Sequence, residues 1–406
     1  MLIIRADGNA KIGAGHLMRC LTIGEAVREL HQAGRGCGRE ARELCQEMRD
    51  CDKAARDCDG IASLHQEVLF LCADEASARL ARGHGFRAGV LHTDYRQMET
   101  ELAVWDSWVQ GGGNTILVDS YHVTDAYLTG LRKYGTVYLM DDMQRRAYPV
   151  DGVINYNLYA DSEVYRKIYG TDPYIPQNKF ENKFSNSLLE AVSQAEACDM
   201  QGYNYDKDVR FYLGSSYVPL REQFREVEYH VRESVSDVLI TTGGADADNI
   251  AGGLLECIER QEITYHVLVG RFSSHFESWQ ARAEESSNIR IYFDLQDMAG
   301  LMQRCDLAVS AGGSTLYELA AVGVPFICFS YAENQEALAE YMGEKAVAGY
   351  AGAWHLDRLG TLGRLTALFS KLCGDRALRE QYSKRERELI DGQGAYRLAE
   401  VLCGLR

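Results

Sequence analysis

Ile12-Gly13-Ala14-Gly15-His16-Leu17-Met18-Arg19 decides how the chain is read. An apolar strand precedes it, Leu2-Ile3-Ile4, and Arg5-Ala6-Asp7-Gly8-Asn9 turns the chain. A helical pattern from Leu17 to Leu30 follows. A glycine-rich turn between strand and helix exposes backbone N–H groups at a helix start, which suits an anion such as a phosphate. The turn carries His16, and histidine is the side chain best able to take a proton near neutral pH. Gly13-x-Gly15 lacks the third glycine of a dinucleotide fingerprint, since position 18 is Met, and no Gly-Lys-Ser/Thr follows as in a P-loop. A tight turn with a surface histidine is the plainer alternative.

The pattern repeats outward from this turn. Strands read at Leu2–Ile4, Val68–Cys72, Gly89–Leu91, Thr115–Val118, Thr136–Met140 and Gly152–Asn155. Helices read at Leu17–Leu30, Glu75–His84, Glu99–Gln110 and Asp125–Tyr134. A second run starts at strand Val238–Thr241 and alternates through helix Asn249–Arg260 to helix Asn334–Met342. Such alternation predicts parallel sheets with helices on both faces, and ligands beyond the C-terminal strand ends. The 406 residues suit two α/β domains of ~200 each. We expect an N-terminal Rossmann-like domain over 1–221 and a C-terminal one over 222–406, each doubly wound, with the ligand in the cleft.

Composition narrows the partners. The net charge of −16 excludes nucleic acid as the main partner, which needs a broad basic face. No apolar run reaches membrane-spanning length, so no membrane partner is expected. Met1 leads straight into a core strand, and the 12 Cys include no C-x-x-C pair. Reduced, buried thiols in a cytoplasmic protein are the expectation. Two segments fit no short connection. Residues 31–66 are rich in charge and carry Cys37, Cys45, Cys51 and Cys58 at spacings that match no zinc pattern, so a solvated helical insertion is expected. Residues 177–208 read as a loop-helix elaboration.

Three more turns lie at strand ends. Thr241-Thr242-Gly243-Gly244-Ala245-Asp246-Ala247-Asp248-Asn249 lets backbone approach a ligand, and Asp248 or Asn249 also reads as a helix cap. Ser310-Ala311-Gly312-Gly313-Ser314-Thr315-x-x-Glu318 ends a strand and opens a helix. Thr315 and Glu318 have part of the spacing of a capping box. Glu318 also lies where a carboxylate could hold a ribose diol. Tyr331-Ala332-Glu333-Asn334-Gln335 offers amides that could read a sugar or base.

Taken together these residues resemble a family. Arg5-Ala6-Asp7-Gly8-Asn9, Ile12-Gly13-x-Gly15-His16-x-x-Arg19-Cys20-Leu21, Asp119-Ser120-Tyr121, Asp141-Asp142 and Asn157 carry the resemblance in the first half. Gly243-Gly244-Ala245-Asp246-x-x-Asn249, Ala311-Gly312-Gly313-Ser314-Thr315-x-x-Glu318 and Asn334-Gln335 carry it in the second. The chain is similar to the UDP-2,4-diacetamido-2,4,6-trideoxy-β-L-altropyranose hydrolases of pseudaminic acid biosynthesis (the PseG family). These are related to GT-B glycosyltransferases of the MurG type.

The resemblance implies a GT-B-like fold and UDP-sugar hydrolysis. Gly313, Ser314 and Thr315 would hold the diphosphate, Glu318 the ribose, and backbone near Phe293–Asp297 the uracil. His16 would be the general base for water attacking C1, and Tyr121, Asp7 and Asn157 would orient the sugar or water. Asp7, Gly15, Arg19, Asn157, Gly244, Asn249, Gly312, Asn334 and Gln335 would complete the substrate contacts. No acidic metal cluster is evident near these turns, and neither a metal nor a cofactor is expected. The alternatives are a UDP-dependent glycosyltransferase using the same nucleotide site, and a sugar-nucleotide binder without turnover.

Overall fold

The computed structural model describes residues 1–9, 13–47, 67–170, 209–243, 246, 248–270, 273–293 and 295–405, with the side chains of 33–47 outside the description. β1 (Leu2–Ala6) shows why a parallel sheet forms, because all five of its residues are buried. Leu2 and Ile4 join one core cluster and Ile3 the other, so both faces of the strand are covered. Around it pair β2 (Val68–Cys72), β3 (Arg87–Val90), β4 (Asn114–Asp119), β5 (Gly135–Met140), β6 (Gly152–Asn155) and β7 (Arg210–Leu213). The order is β3-β2-β1-β4-β5-β6-β7, all parallel. The order reverses between β1 and β4, which places the switch point at their C-terminal ends.

The second sheet repeats the plan. β8 (Asp237–Thr241), β9 (Thr264–Val269), β10 (Ile289–Phe293), β11 (Leu307–Ala311), β12 (Phe326–Ser330) and β13 (Gly349–Ala353) lie in the order β10-β9-β8-β11-β12-β13. Its switch point falls between β8 and β11, which pair directly.

The chain divides into two compact units, Met1–Pro219 with Gln393–Arg406, and Leu220–Gly392. The sequence reading keeps 222–406 in one piece. Instead the last helix, Gly394–Leu402, packs Leu398, Ala399 and Leu402 into the same core cluster as Leu17, Leu21 and Val27 of the first helix.

Further features differ from the sequence reading. The first helix runs from Gly15 to Glu47, well past Leu30, so the part of the 31–66 segment up to Glu47 continues one helix. Residues 48–66 and 177–208 lie outside the described residues, with Cys51 and Cys58 among them. The expected helix Glu99–Gln110 is a 3₁₀ turn, Met98–Glu101, followed by the short helix Leu102–Trp105. Among the described residues, no helix is long and apolar enough to cross a membrane.

Candidate active site

His16 is the second residue of the first helix, and Asp119 is the last residue of β4. Ala6 and Asp119 are register partners in neighbouring strands, so the β1 turn and the β4 end meet at the switch point. Gly8 allows this approach, because a Cβ there would lie 2.8 Å from Cβ of Leu17. His16 Nδ1 lies 2.6 Å from Asp119 Oδ1. Arg19 donates Nε to Asp119 Oδ2 and Nη2 to Oδ1, both at 2.6 Å. Asp119 is 2 % exposed, and burial alone would raise its carboxyl. Arg19 and the His16 hydrogen bond outweigh burial and hold it well below the usual carboxylate range. An ionised carboxylate only accepts, so the ring donates to it from Nδ1, which also lies 3.1 Å from Arg19 Nη2.

A second carboxylate gathers the rest. Asp142 Oδ2 accepts from Arg19 Nη1 at 2.8 Å and from the Tyr121 hydroxyl at 3.1 Å. Its Oδ1 accepts from Asn157 Nδ2 at 3.0 Å. Arg19 Nη1 also donates to the Tyr156 hydroxyl at 2.8 Å. The Tyr121 ring meets the His16 ring edge-on, with centroids 4.5 Å apart. Four residues singled out in the sequence, His16, Arg19, Tyr121 and Asn157, are thus brought together, with Gly15 open beside them.

Asp7 is turned inward. It is 4 % exposed, and its oxygens accept from Arg5 Nη1 at 2.6 Å and from the Ala73 amide at 2.7 Å. It belongs to a buried network in which Arg5 also pairs with Glu101, and it braces the strand ends.

The second unit presents two glycine turns on either side of its switch point, and they differ. After β8, the Asp246 carboxylate accepts from the amides of Ile250 at 2.7 Å and Ala251 at 3.2 Å. The cap is therefore Asp246 and neither Asp248 nor Asn249; Asn249 is exposed, with φ at 49°, and makes no side-chain cap. Gly244 lies outside the described residues. After β11, Ser314 precedes helix Thr315–Val322 with no side-chain cap. The space over Gly313 is open, whereas a Cβ on Gly312 would stand 2.9 Å from the Gln335 carbonyl oxygen.

Glu318 forms no capping box; its Oε1 accepts from Arg221 Nη2 at 3.1 Å. Burial pushes its carboxyl up, with Arg221 pulling it back down. Gln335 turns Oε1 onto the Tyr331 amide at 3.1 Å, which holds the third turn, while Asn334 is exposed. The sequence reading gave no role to Asp119, Asp142, Tyr156 or Arg221. The aspartates did stand in quoted motifs at strand ends, and that was the only signal for them.

Comparison with known proteins adds to the geometry. Residues 237–357 match the glycosyltransferase family 28 C-terminal domain. The chain is 28% identical over 256 residues to the spore coat polysaccharide biosynthesis protein SpsG of Bacillus subtilis, covering 61% of this chain and 75% of that one. It is 26% identical over 159 residues to the UDP-2,4-diacetamido-2,4,6-trideoxy-β-L-altropyranose hydrolase of Campylobacter jejuni, covering 39% of this chain and 57% of the hydrolase. The match thus spans just over half the length of that hydrolase. Among solved structures, MurG of Acinetobacter baumannii superposes with a TM-score of 0.55 at 12% identity, covering 99% of this chain and 98% of that one. The fold is that of the GT-B glycosyltransferases, and in sequence the chain is similar to the UDP-2,4-diacetamido-2,4,6-trideoxy-β-L-altropyranose hydrolases.

Proposed function

We propose that the protein processes a nucleotide sugar and, more specifically, hydrolyses UDP from a UDP-linked 2,4-diacetamido-2,4,6-trideoxy hexose. The observation that carries this reading is the His16–Asp119 contact of 2.6 Å at the switch point of a parallel sheet, which supports Nε2 of a neutral His16 as the base. A water oxygen attacks C1 and gives its proton to Nε2. The bond from C1 to the diphosphate oxygen breaks, and its electron pair leaves with UDP. The positioned base supplies about 10²–10⁴-fold. The rest comes from stabilising the leaving diphosphate at the helix start beyond Gly313, where no side chain caps the helix. Glu318 holds the ribose in this reading, exchanging its contact with Arg221 for the diol. The relatives named as this hydrolase support the substrate class.

The family 28 match favours a second reading, a UDP-dependent glycosyltransferase in which Nε2 deprotonates an acceptor hydroxyl. One experiment separates them. Incubation with the UDP-sugar in ¹⁸O-water, without acceptor, releases UDP and puts the label on the sugar if the hydrolase reading holds. Label on UDP, or no release until an acceptor is added, overturns it.

A further inference from the structure

A groove of about 490 Å³ opens beside the His16 turn within the first unit, lined by Asn9, Asp74, Thr93, Asp94, Tyr95 and Arg96. Its volume lies inside the roughly 300–1,000 Å³ range of small-molecule sites. None of these residues serves the chemistry derived above. The groove is nevertheless joined to it, because the Tyr95 ring meets the His122 ring at 5.4 Å, and His122 follows Tyr121.

Its walls are built to hold one shape. The loop after β3 turns at His92, whose φ of 56° is uncommon outside glycine. The Leu91 amide is tied to Cys72 and the Thr93 amide to Ala73, at 2.8 and 3.3 Å. The Asp94 carboxylate accepts from the Arg96 amide at 3.0 Å, and Arg96 Nε donates to the Tyr95 hydroxyl at 3.2 Å. Asn9 Nδ2 donates to Asp74 at 2.8 Å, closing the opposite wall. Beneath lies the buried network of Arg5, Asp7 and Glu101. Thr93 Oγ1 donates into it at 3.3 Å, and Asp7 holds the Ala73 amide. One guanidinium with two carboxylates buried together is a poor source of stability. The network instead fixes the two loops that frame the groove.

The lining also sets the ligand. Two carboxylates face one guanidinium, which disfavours a phosphoryl group and favours a neutral molecule. Tyr95 offers a ring for a C–H face, and the short side chains of Asn9, Thr93 and Asp94 suit hydroxyl and amide groups. We infer that this groove is the subsite for the sugar half of the substrate, taking a neutral hydroxylated or acylamino pyranose. This rests on the nucleotide-sugar reading for its biological meaning, but not for its test.

The test is saturation-transfer NMR on the full chain with free N-acetylglucosamine, and with glucose 1-phosphate as the charged counterpart. N-acetylglucosamine takes up saturation in the wild type, and glucose 1-phosphate less. Tyr95→Ala weakens N-acetylglucosamine binding about 3- to 10-fold, the factor an aromatic contact contributes. Tyr95→Phe keeps it, and UDP affinity by calorimetry stays unchanged in both variants. The inference is overturned if the wild type shows no saturation, if Tyr95→Ala binds as well as the wild type, or if glucose 1-phosphate binds more tightly. If wild-type protein binds N-acetylglucosamine as described but not UDP, the groove stands as a sugar site and the nucleotide reading fails.

Discussion

Asp119→Asn is the sharpest probe of the proposed chemistry, because it changes one atom's charge and little volume. The wild-type carboxylate accepts from His16 Nδ1 and twice from Arg19, each contact at 2.6 Å. An asparagine keeps one acceptor oxygen, and Arg19 is the stronger claimant for it. The new NH₂ group then faces Nδ1 and donates to it, which moves the ring proton to Nε2 and removes the base. The expected loss in kcat is about 10²–10⁴-fold, the full worth of a positioned base, because a neutral ring in the wrong tautomer cannot accept the water's proton.

Stability changes as well. Asp119 is buried and paired, and breaking such a pair costs about 3–5 kcal/mol. The asparagine retains a hydrogen bond, so the lower end applies. The pH dependence gives an internal check. The Asp119 carboxyl is depressed in the folded state, so its contribution is present above the unfolded value of about 3.9. It is lost as pH falls below that value toward the folded one. The stability gap between wild type and variant should therefore be full at pH 7 and shrink below about pH 4. Initial rates of UDP release and urea melts at several pH values measure both quantities. A variant with near-normal kcat would refute the idea that Asp119 sets the working tautomer of His16, and with it the base assignment.

Four further variants probe the second unit. Gly313→Val should fold with a Tm close to wild type, since the space over Gly313 is open, yet lose UDP affinity by about tenfold or more in calorimetry, whereas Gly312→Ala should cost about 1–3 kcal/mol of stability by driving Cβ onto Gln335. Glu318→Ala should weaken UDP binding by about 1–3 kcal/mol through loss of hydrogen bonds to a charged group; unchanged calorimetry would remove Glu318 from the nucleotide site. Asp246→Ala should cost about 1 kcal/mol in thermal melts by uncapping helix Ile250–Ile258 and leave UDP affinity intact; a large loss of UDP binding would mean that the β8 turn also takes the diphosphate.

The strands most legible in the sequence are those buried on both faces, such as Leu2-Ile3-Ile4, because continuous apolar runs between turn residues have few other uses. β13 escapes that test: Gly-Tyr-Ala-Gly-Ala has no β-branched residue and is a strand by virtue of its neighbour β12. The long first helix hides its end in the same way, since Gly34, Gly36 and Gly38 argue against a helix that nonetheless runs to Glu47. In the site, His16 is visible as a base on a turn, but its partner is 103 residues away. Only the strand order brings the two together. Asp7 and Asp119 look alike as aspartates at strand ends. What separates them is that Arg5, two residues before Asp7, turns inward and claims its carboxylate. The sequence offers Asp248 or Asn249 as the cap of the β8 helix, and only the left-handed turn at Asn249 shows Asp246 over the amides.

The return of helix Gly394–Leu402 to the first unit has a consequence for how the protein is made. The unit that begins first is finished last. At about 5–20 residues per second, Leu220–Gly392 takes on the order of ten to thirty seconds to synthesise. Throughout that interval the nascent first unit lacks Leu398, Ala399 and Leu402, so the part of its core cluster that these residues complete stays uncovered. The second unit closes its own sheet in the meantime. A ribosome paused late in the message would therefore hold a chain whose second unit is complete and whose first unit still presents an open apolar seam, the surface that a chaperone grips.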